Sequence, residues 1–373
     1  MKHKAFFIVA LSVIIKILWS LDANVLLLMY DNYLTNTASI GSNDKRRIFS
    51  LDSTALEGKT VWITGSSSGI GAELAIQLSS AGVGHLILSG RRVDKLETVA
   101  KECHELHMKR ANAIGKEATL NISLVPFDLA EPQVLDDAVN NALDTAPESG
   151  IDIIILNAGQ YHCAPALKTD IDKVLPDLMQ VNFLSPIQLA HKLIQKDRWR
   201  ERKYGHIVAV SSLMGRGASA LNAPYAATKH ALRGYFQTLA AEEKSFLRVN
   251  VVLPGAVSTE LWNASWNNKN DFVKALQADD RSKMSVHRCA QLIISSMISP
   301  SYLLFGESWI SINPGLLWVY LASYAPCLFY VMTSIIAPLR LSMWNRDGED
   351  ALYLPTILQH MLESFVEHVR RWS

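Results

Sequence analysis

Cysteine, net charge and charged tracts are all scarce in this 373-residue chain. The four cysteines (Cys103, Cys163, Cys289 and Cys327) lie far apart, with no CxxC or Cys/His ligand spacing, which argues against both a disulfide framework and a zinc site. They read as small apolar side chains. With 36 Lys and Arg against 35 Asp and Glu, the formal net charge is +1, so there is no basic field to attract nucleic acid. Charged residues make up 19% and hydrophobic residues 49% of the chain, the opposite of a disordered composition. There is no internal repeat or low-complexity tract. What is present is enough apolar material for a large core. Since α/β folds run to about 250 residues as one unit, a single large domain with extra segments accounts for the length.

Those extra segments sit at the ends. After Lys2 and Lys4 the chain is apolar from Ala5 to Trp19 except for Lys16, and again from Val25 to Tyr30 beyond Asp22. Together they approach the roughly 20 apolar residues of a spanning helix, so residues 1–30 are expected to be a membrane anchor or signal-anchor, followed by a linker over 31–57. A cleaved signal peptide is the competing reading, disfavoured by the lack of a clean small-x-small site after Trp19. Lys2 and Lys4 on one flank, and Lys45, Arg46 and Arg47 on the other, leave the sidedness open. Near the other end, Ser308 to Leu339 contains no Asp, Glu, Lys or Arg. This predicts a membrane-associated or lid region over 311–340, broken into helical pieces at Pro326 and Pro338. A polar tail over 341–373 follows, with an amphipathic helix expected from Ile357 to Trp372.

Between residues 58 and 310 short apolar runs alternate with helical stretches. Lys59–Thr64, His85–Ser89, Ile122–Phe127, Ile151–Leu156, His206–Val210 and Val249–Leu253 read as parallel strands covered on both faces. βαβ units with right-handed crossovers then give an α/β, doubly wound parallel sheet.

The ends of these strands carry the chemistry. After the first comes Thr64-Gly65-Ser66-Ser67-Ser68-Gly69-Ile70-Gly71 and then a helix; its glycines let a pyrophosphate approach the backbone at a helix N-terminus. After the second, where an NAD site would carry a carboxylate, stand Arg91 and Arg92. Two guanidiniums there favour the 2′-phosphate of NADP(H), with NAD(H) left open. Asp128 follows the third strand, near where an adenine would lie, and Asn157-Ala158-Gly159 follows the fourth. Pro254, Gly255, Val257 and Thr259 follow the sixth, at the nicotinamide end.

Ser212 ends the fifth strand, and Tyr225 and Lys229 follow at a spacing of i, i+4. That spacing puts the ammonium near the phenol. A free tyrosine has a pKa of about 10, which a neighbouring cation is expected to lower towards neutrality. Ser212 can hydrogen-bond a reacting oxygen.

With these motifs the chain resembles the short-chain dehydrogenase/reductase family over residues 58–310. The resemblance implies a Rossmann-type fold and hydride transfer between a nicotinamide and a carbonyl or alcohol. It adds Asn182 to Ser212, Tyr225 and Lys229 as the fourth catalytic residue, ordering a water that links the lysine to solvent. An ordinary helix-interior amide is the alternative for Asn182. The basic residue that some NADP-using members carry before the second motif glycine is Ser68 here, so the cofactor assignment rests on Arg91 and Arg92. The N-terminal apolar segment, Lys229 to Phe236, Lys283 to Cys289 and Trp309 to Pro326 are similar to the family's membrane-bound retinal group. That likeness implies an endoplasmic reticulum membrane enzyme acting on a lipophilic substrate of retinoid or steroid type. The family also implies a homo-oligomer packed through the helices of Asn182 and Tyr225.

Substrate choice is expected to lie in Val257 to Met284 and in the apolar region after Ser308. Two rival readings stay open: a non-catalytic NADP(H) sensor or scaffold, and a lumenal enzyme in which the sequons at Asn121 and Asn263 matter.

Overall fold

The computed structural model describes residues 55–115, 120–262, 283–299, 307–311 and 315–347. The expected anchor, most of the linker, residues 263–282 of the expected substrate segment, and residues 348–373 of the tail with its amphipathic helix lie outside the described residues; residues 341–347 of that tail continue the last helix.

Seven parallel strands form the frame: β1 (Thr60–Thr64), β2 (His85–Ser89), β3 (Asn121–Leu124), β4 (Ile153–Leu156), β5 (Gly205–Val210), β6 (Leu247–Pro254) and β7 (Glu307–Ile310). Their order is β3-β2-β1-β4-β5-β6-β7, so the chain reverses its direction of travel across the sheet between β1 and β4. Pairings such as Val61 with Leu86 and Ile153, and Val252 with Ser308, hold the register. Helices α1 (Gly69–Ala81), α2 (Val93–Ile114), α3 (Leu135–Thr145), α4 (Ile171–Met179), α5 (Ser185–Lys196), α6 (Trp199–Arg202), α7 (Ala223–Glu242) and α8 (Val286–Ile298) make the crossovers. Two more, α9 (Gly315–Tyr324) and α10 (Pro326–Asp347), follow the last strand.

The sheet separates two cores. Leu74 and Leu78 of α1, Leu96 of α2 and Ile293 of α8 cover one face. Leu135, Leu189 and Phe236 of α3, α5 and α7 cover the other, joined there by Leu316 and Val319 of α9. β1, β2, β4 and β5 are buried at every position, as their unbroken apolar runs require.

Two strands depart from expectation. β3 is an edge strand, exposed or half-buried throughout, and stops at Leu124; with no neighbour beyond it, it has no second flank to bury. β7 went unforeseen because only four residues pair and the first is a glutamate. The apolar C-terminal region also divides differently. Pro326 begins α10, but Pro338 lies inside it without ending it. Among the described residues no helix is long and apolar enough to cross a membrane. Tyr324, Leu328, Tyr330 and Val331 are exposed along α9 and α10.

Candidate active site

A cavity of about 800 Å³ opens at the carboxyl ends of the strands, where the strand order reverses. That is where ligands bind in open α/β sheets. Thr64 closes β1 against β4: its hydroxyl donates to the Ile155 carbonyl at 3.2 Å and accepts from the Asn157 and Ala158 amides at 3.0 and 3.2 Å. Asn157 returns the bond, its side-chain amide donating to the Thr64 and Gly65 carbonyls. The turn between them admits no side chain. Gly65 has φ +70° and a Cβ there would lie 2.8 Å from Ala158 Cα; a Cβ on Gly71 would lie 2.3 Å from the Gly65 carbonyl oxygen. This close-packed glycine turn opens α1, whose free N–H groups suit a pyrophosphate. The cradle therefore fits a dinucleotide. Thr259 packs on Gly69 across the cavity mouth.

Arg91 and Arg92 stand exposed at the same mouth. Arg91 pairs with Asp128 at 3.4 Å, and Arg92 with Glu260 at 3.5 Å. Arg92 also donates to the Ser68 hydroxyl at 2.9 Å, which brings a guanidinium beside the position where some family members have a basic residue in the glycine loop. Exposed pairs of this length contribute about 0–1 kcal/mol, so a phosphate can displace the carboxylates.

Ser212, Tyr225 and Lys229 all line the cavity and are all buried. Ser212 caps a short 3-10 turn, its hydroxyl accepting from the Met214 amide at 3.2 Å. Ser211 ties this turn to α7 by donating to the Lys229 carbonyl. Lys229 Nζ donates to the Val210 carbonyl at 3.1 Å and lies 5.8 Å from the centre of the Tyr225 ring. Burial brings the ammonium down to about 8. Burial also pushes the Tyr225 phenol up to about 12, opposed only by the Ser212 hydrogen bond. The expected lowering of Tyr225 by Lys229 is thus absent in this arrangement: desolvation of the phenolate outweighs a cation whose bond goes to a carbonyl.

Asn182 sits in a π-helical turn, Gln180–Leu184, between α4 and α5. Its side chain accepts from the Gln160 amide at 2.7 Å and donates to the Gln160 carbonyl at 2.9 Å and to Thr228 at 3.1 Å. A Cβ on Gly159 would meet both Asn182 Oδ1 and Lys229 Nζ, so the two side chains flank one glycine. Asn182, Ser66 and Gly71 are not on the cavity wall. The Ser66 amide and hydroxyl are both spent on the Ser89 carbonyl, and Gly71 packs behind Gly65. Thr64, Gly65, Ser67, Ser68, Gly69, Ile70, Ala158, Pro254, Gly255, Val257 and Thr259 do line it, as do Arg91, Arg92, Asp128, Asn157 and Gly159.

The far end of the cavity contains groups that no motif announced. The Tyr161 ring meets Tyr225 edge-on at 4.9 Å, and its hydroxyl donates to Asn222 Oδ1 at 2.6 Å. Ser219 and Arg340 lie on the same wall. Tyr161, two residues past Asn157-Ala158-Gly159, could have been inferred from its neighbours; Arg340, after a long uncharged run, could not. Behind Ser212, Glu307 of β7 accepts from Arg216 at 2.9 Å, Arg233 at 2.6 Å and Trp309 Nε1 at 2.6 Å, and also from Gln237. Arg216 in turn donates to Ser323 of α9. This carboxylate binds the serine turn, α7 and the C-terminal helices into one cluster. Among the described residues no group of side chains could hold a metal ion.

The short chain dehydrogenase family profile matches residues 59–270. Human dehydrogenase/reductase SDR family member 7 is 34% identical over 299 residues, 79% of this chain and 82% of that protein. Hydroxysteroid 11-beta-dehydrogenase 1-like protein of Danio rerio is 31% identical over 217 residues, 57% of this chain and 68% of that one. Among solved structures, a gluconate 5-dehydrogenase from Burkholderia cenocepacia, in complex with NADP and tartrate, aligns with TM-score 0.53 and 26% identity over 70% of this chain and 96% of that chain.

Proposed function

The chain belongs to the short chain dehydrogenase family and is an oxidoreductase; from that premise we propose that it is an NADP(H)-dependent enzyme reducing a lipophilic carbonyl compound, of retinoid or steroid type, at a membrane surface. The observation that carries this reading is one cavity holding a dinucleotide-shaped glycine turn at one end and Ser212, Tyr225 and Lys229 beside it. When bound, the nicotinamide supplies a hydride to the carbonyl carbon. Tyr225 donates its proton to the carbonyl oxygen while Ser212 holds that oxygen by a hydrogen bond. Burial raises the Tyr225 phenol above its ordinary value, so the group is protonated and available as the proton donor. Lys229 binds the nicotinamide ribose and returns the proton to Tyr225. In the same reading Asn182 fixes the Gln160 backbone beside Lys229 and orders the water that links the ammonium to solvent.

Support for NADP(H) comes from Arg91 and Arg92, whose guanidiniums can take a 2′-phosphate bidentately in place of Asp128 and Glu260. The membrane setting is favoured by the apolar N-terminal segment and by exposed Tyr324, Leu328, Tyr330 and Val331; the endoplasmic reticulum as its site rests on the family resemblance alone.

The test is oxidation of NADPH and NADH in parallel by detergent-solubilised protein, against retinals, ketosteroids and simple quinones. Turnover with NADPH that Tyr225→Phe lacks is the expected result. Tight NADPH binding with no turnover of any carbonyl would favour a non-catalytic role.

A further inference from the structure

At the substrate end of the cavity, no carboxylate among the described residues pairs with Arg340. Arg340 reaches the wall from α10, and its Nη1 donates to the Ser219 hydroxyl. Its Nε is sealed from solvent without an acceptor. The other arginines lining this cavity have carboxylates, Asp128 for Arg91 and Glu260 for Arg92. No carboxylate lies within ion-pair distance of Arg340 among the described residues. A neutral hydroxyl satisfies one of its donors but leaves the charge uncompensated, and such a half-sheltered guanidinium favours an anion that can take its free N–H groups.

Its neighbours place it relative to the reacting groups. Burial pushes the Tyr161 phenol well above its ordinary value, and Arg340 is a nearby positive charge pulling the other way. The Tyr161 ring lies edge-on against Tyr225. Arg340 and Tyr225 therefore line one cavity, each beside Tyr161.

We propose that Arg340 recognises an anionic group of the substrate, so that the preferred substrates are lipophilic aldehydes or ketones carrying a carboxylate or another anion beyond the reacting carbonyl. This rests on the reductase reading above. Tyr161 and Met214 supply the apolar wall between the two polar ends, and Arg340 sets which way round the molecule enters. A free acid and an anionic conjugate present the same chemistry to the guanidinium.

The experiment compares each carbonyl acid with its own methyl ester: 4-formylbenzoate, 9-oxodecanoate, and a ketosteroid sulfate beside the free ketosteroid. Full-length protein in detergent is assayed with NADPH as wild type, Arg340→Leu and Arg340→Lys. The quantity read is the ratio of kcat/KM for the charged and neutral members of each pair, in which any general loss of folded enzyme cancels. In wild type this ratio should exceed unity by about tenfold, mainly through KM, as expected for one charge-assisted contact. Arg340→Leu should bring it to unity, and Arg340→Lys should retain part of it. A preference confined to the sulfate pair would identify a conjugate, and one confined to the carboxylates a free acid; either supports the assignment. Equal turnover of charged and neutral members by wild type would overturn it while leaving the reductase intact, as would a preference that Arg340→Leu preserves. Absence of turnover on every carbonyl would instead overturn the reductase reading on which it stands.

Discussion

The two ends of the cavity are built differently. At the cofactor end the contacts are made by backbone and small side chains: Thr64 and Asn157 lock β1 to β4, and Gly65 and Gly71 leave no space for a Cβ. At the substrate end they are made by long side chains brought from distant parts of the chain, with Tyr161 following β4, Ser219 preceding α7 and Arg340 on α10. A site that binds a constant ligand can be a rigid cradle specified by a short segment. A site that selects among ligands uses side chains from separate elements, each replaceable without disturbing the cradle.

If the ends are independent in this way, the largest effect should fall on chemistry alone. Tyr225→Phe is expected to cut kcat by about 10²- to 10⁴-fold while leaving the NADPH Kd unchanged; fluorescence titration beside the activity assay would show whether the two separate. Next comes the support of the substrate end. Glu307→Gln leaves Arg216 and Arg233 without their counter-charge, and should destabilise the fold by about 3 kcal/mol in denaturant titrations, lowering kcat in the remaining folded enzyme. Gly71→Ala strikes the cradle, where the added methyl overlaps the Gly65 carbonyl. A loss of about 2 kcal/mol, with a raised NADPH Kd and no change in substrate preference, is expected. Arg92→Ala sharpens the comparison further: NADPH affinity should fall about tenfold with NADH affinity unmoved, since only the 2′-phosphate differs.

The smallest effect is electrostatic. Burial holds the Lys229 ammonium at about 8 against an ordinary 10.5. Between those values the unfolded chain binds more protons than the folded one, so the destabilisation present below pH 8 is relieved as pH rises towards 10.5. The melting temperature of wild type should therefore gain a few degrees on that of Lys229→Met between about pH 7 and about pH 9.5 in calorimetry. A gap that stays constant with pH would mean the lysine is not desolvated.

The same contrast explains what could be read in the sequence. β1, β2, β4, β5 and β6 were visible because strands covered on both faces are written as unbroken apolar runs. The glycine turn, Ser212, Tyr225 and Lys229 were visible because their chemistry requires fixed local spacings. β7 was not: the charge of its Glu307 is matched by Arg216 and Arg233, which are 91 and 74 residues away. Arg340 was invisible for the same reason, its partner Ser219 lying 121 residues earlier. Spacing put Lys229 near Tyr225 correctly, but the balance between a neighbouring charge and burial depends on the whole packed interior. The boundaries of β3 slipped because an edge strand loses its pattern where its cover ends.

The Glu307 cluster has a practical consequence for handling the protein in water. The apolar helices at the C-terminal end invite trimming, yet ending the chain before residue 307 would strip two arginines of their carboxylate and leave β6 as an open edge. It would also remove the Trp318 ring that packs against Gly217, five residues beyond Ser212. Shortening would thus dismantle the packing behind Ser212. Exchanging Tyr324, Leu328, Tyr330 and Val331 for polar side chains would instead alter the outer surface while the inner one stays docked.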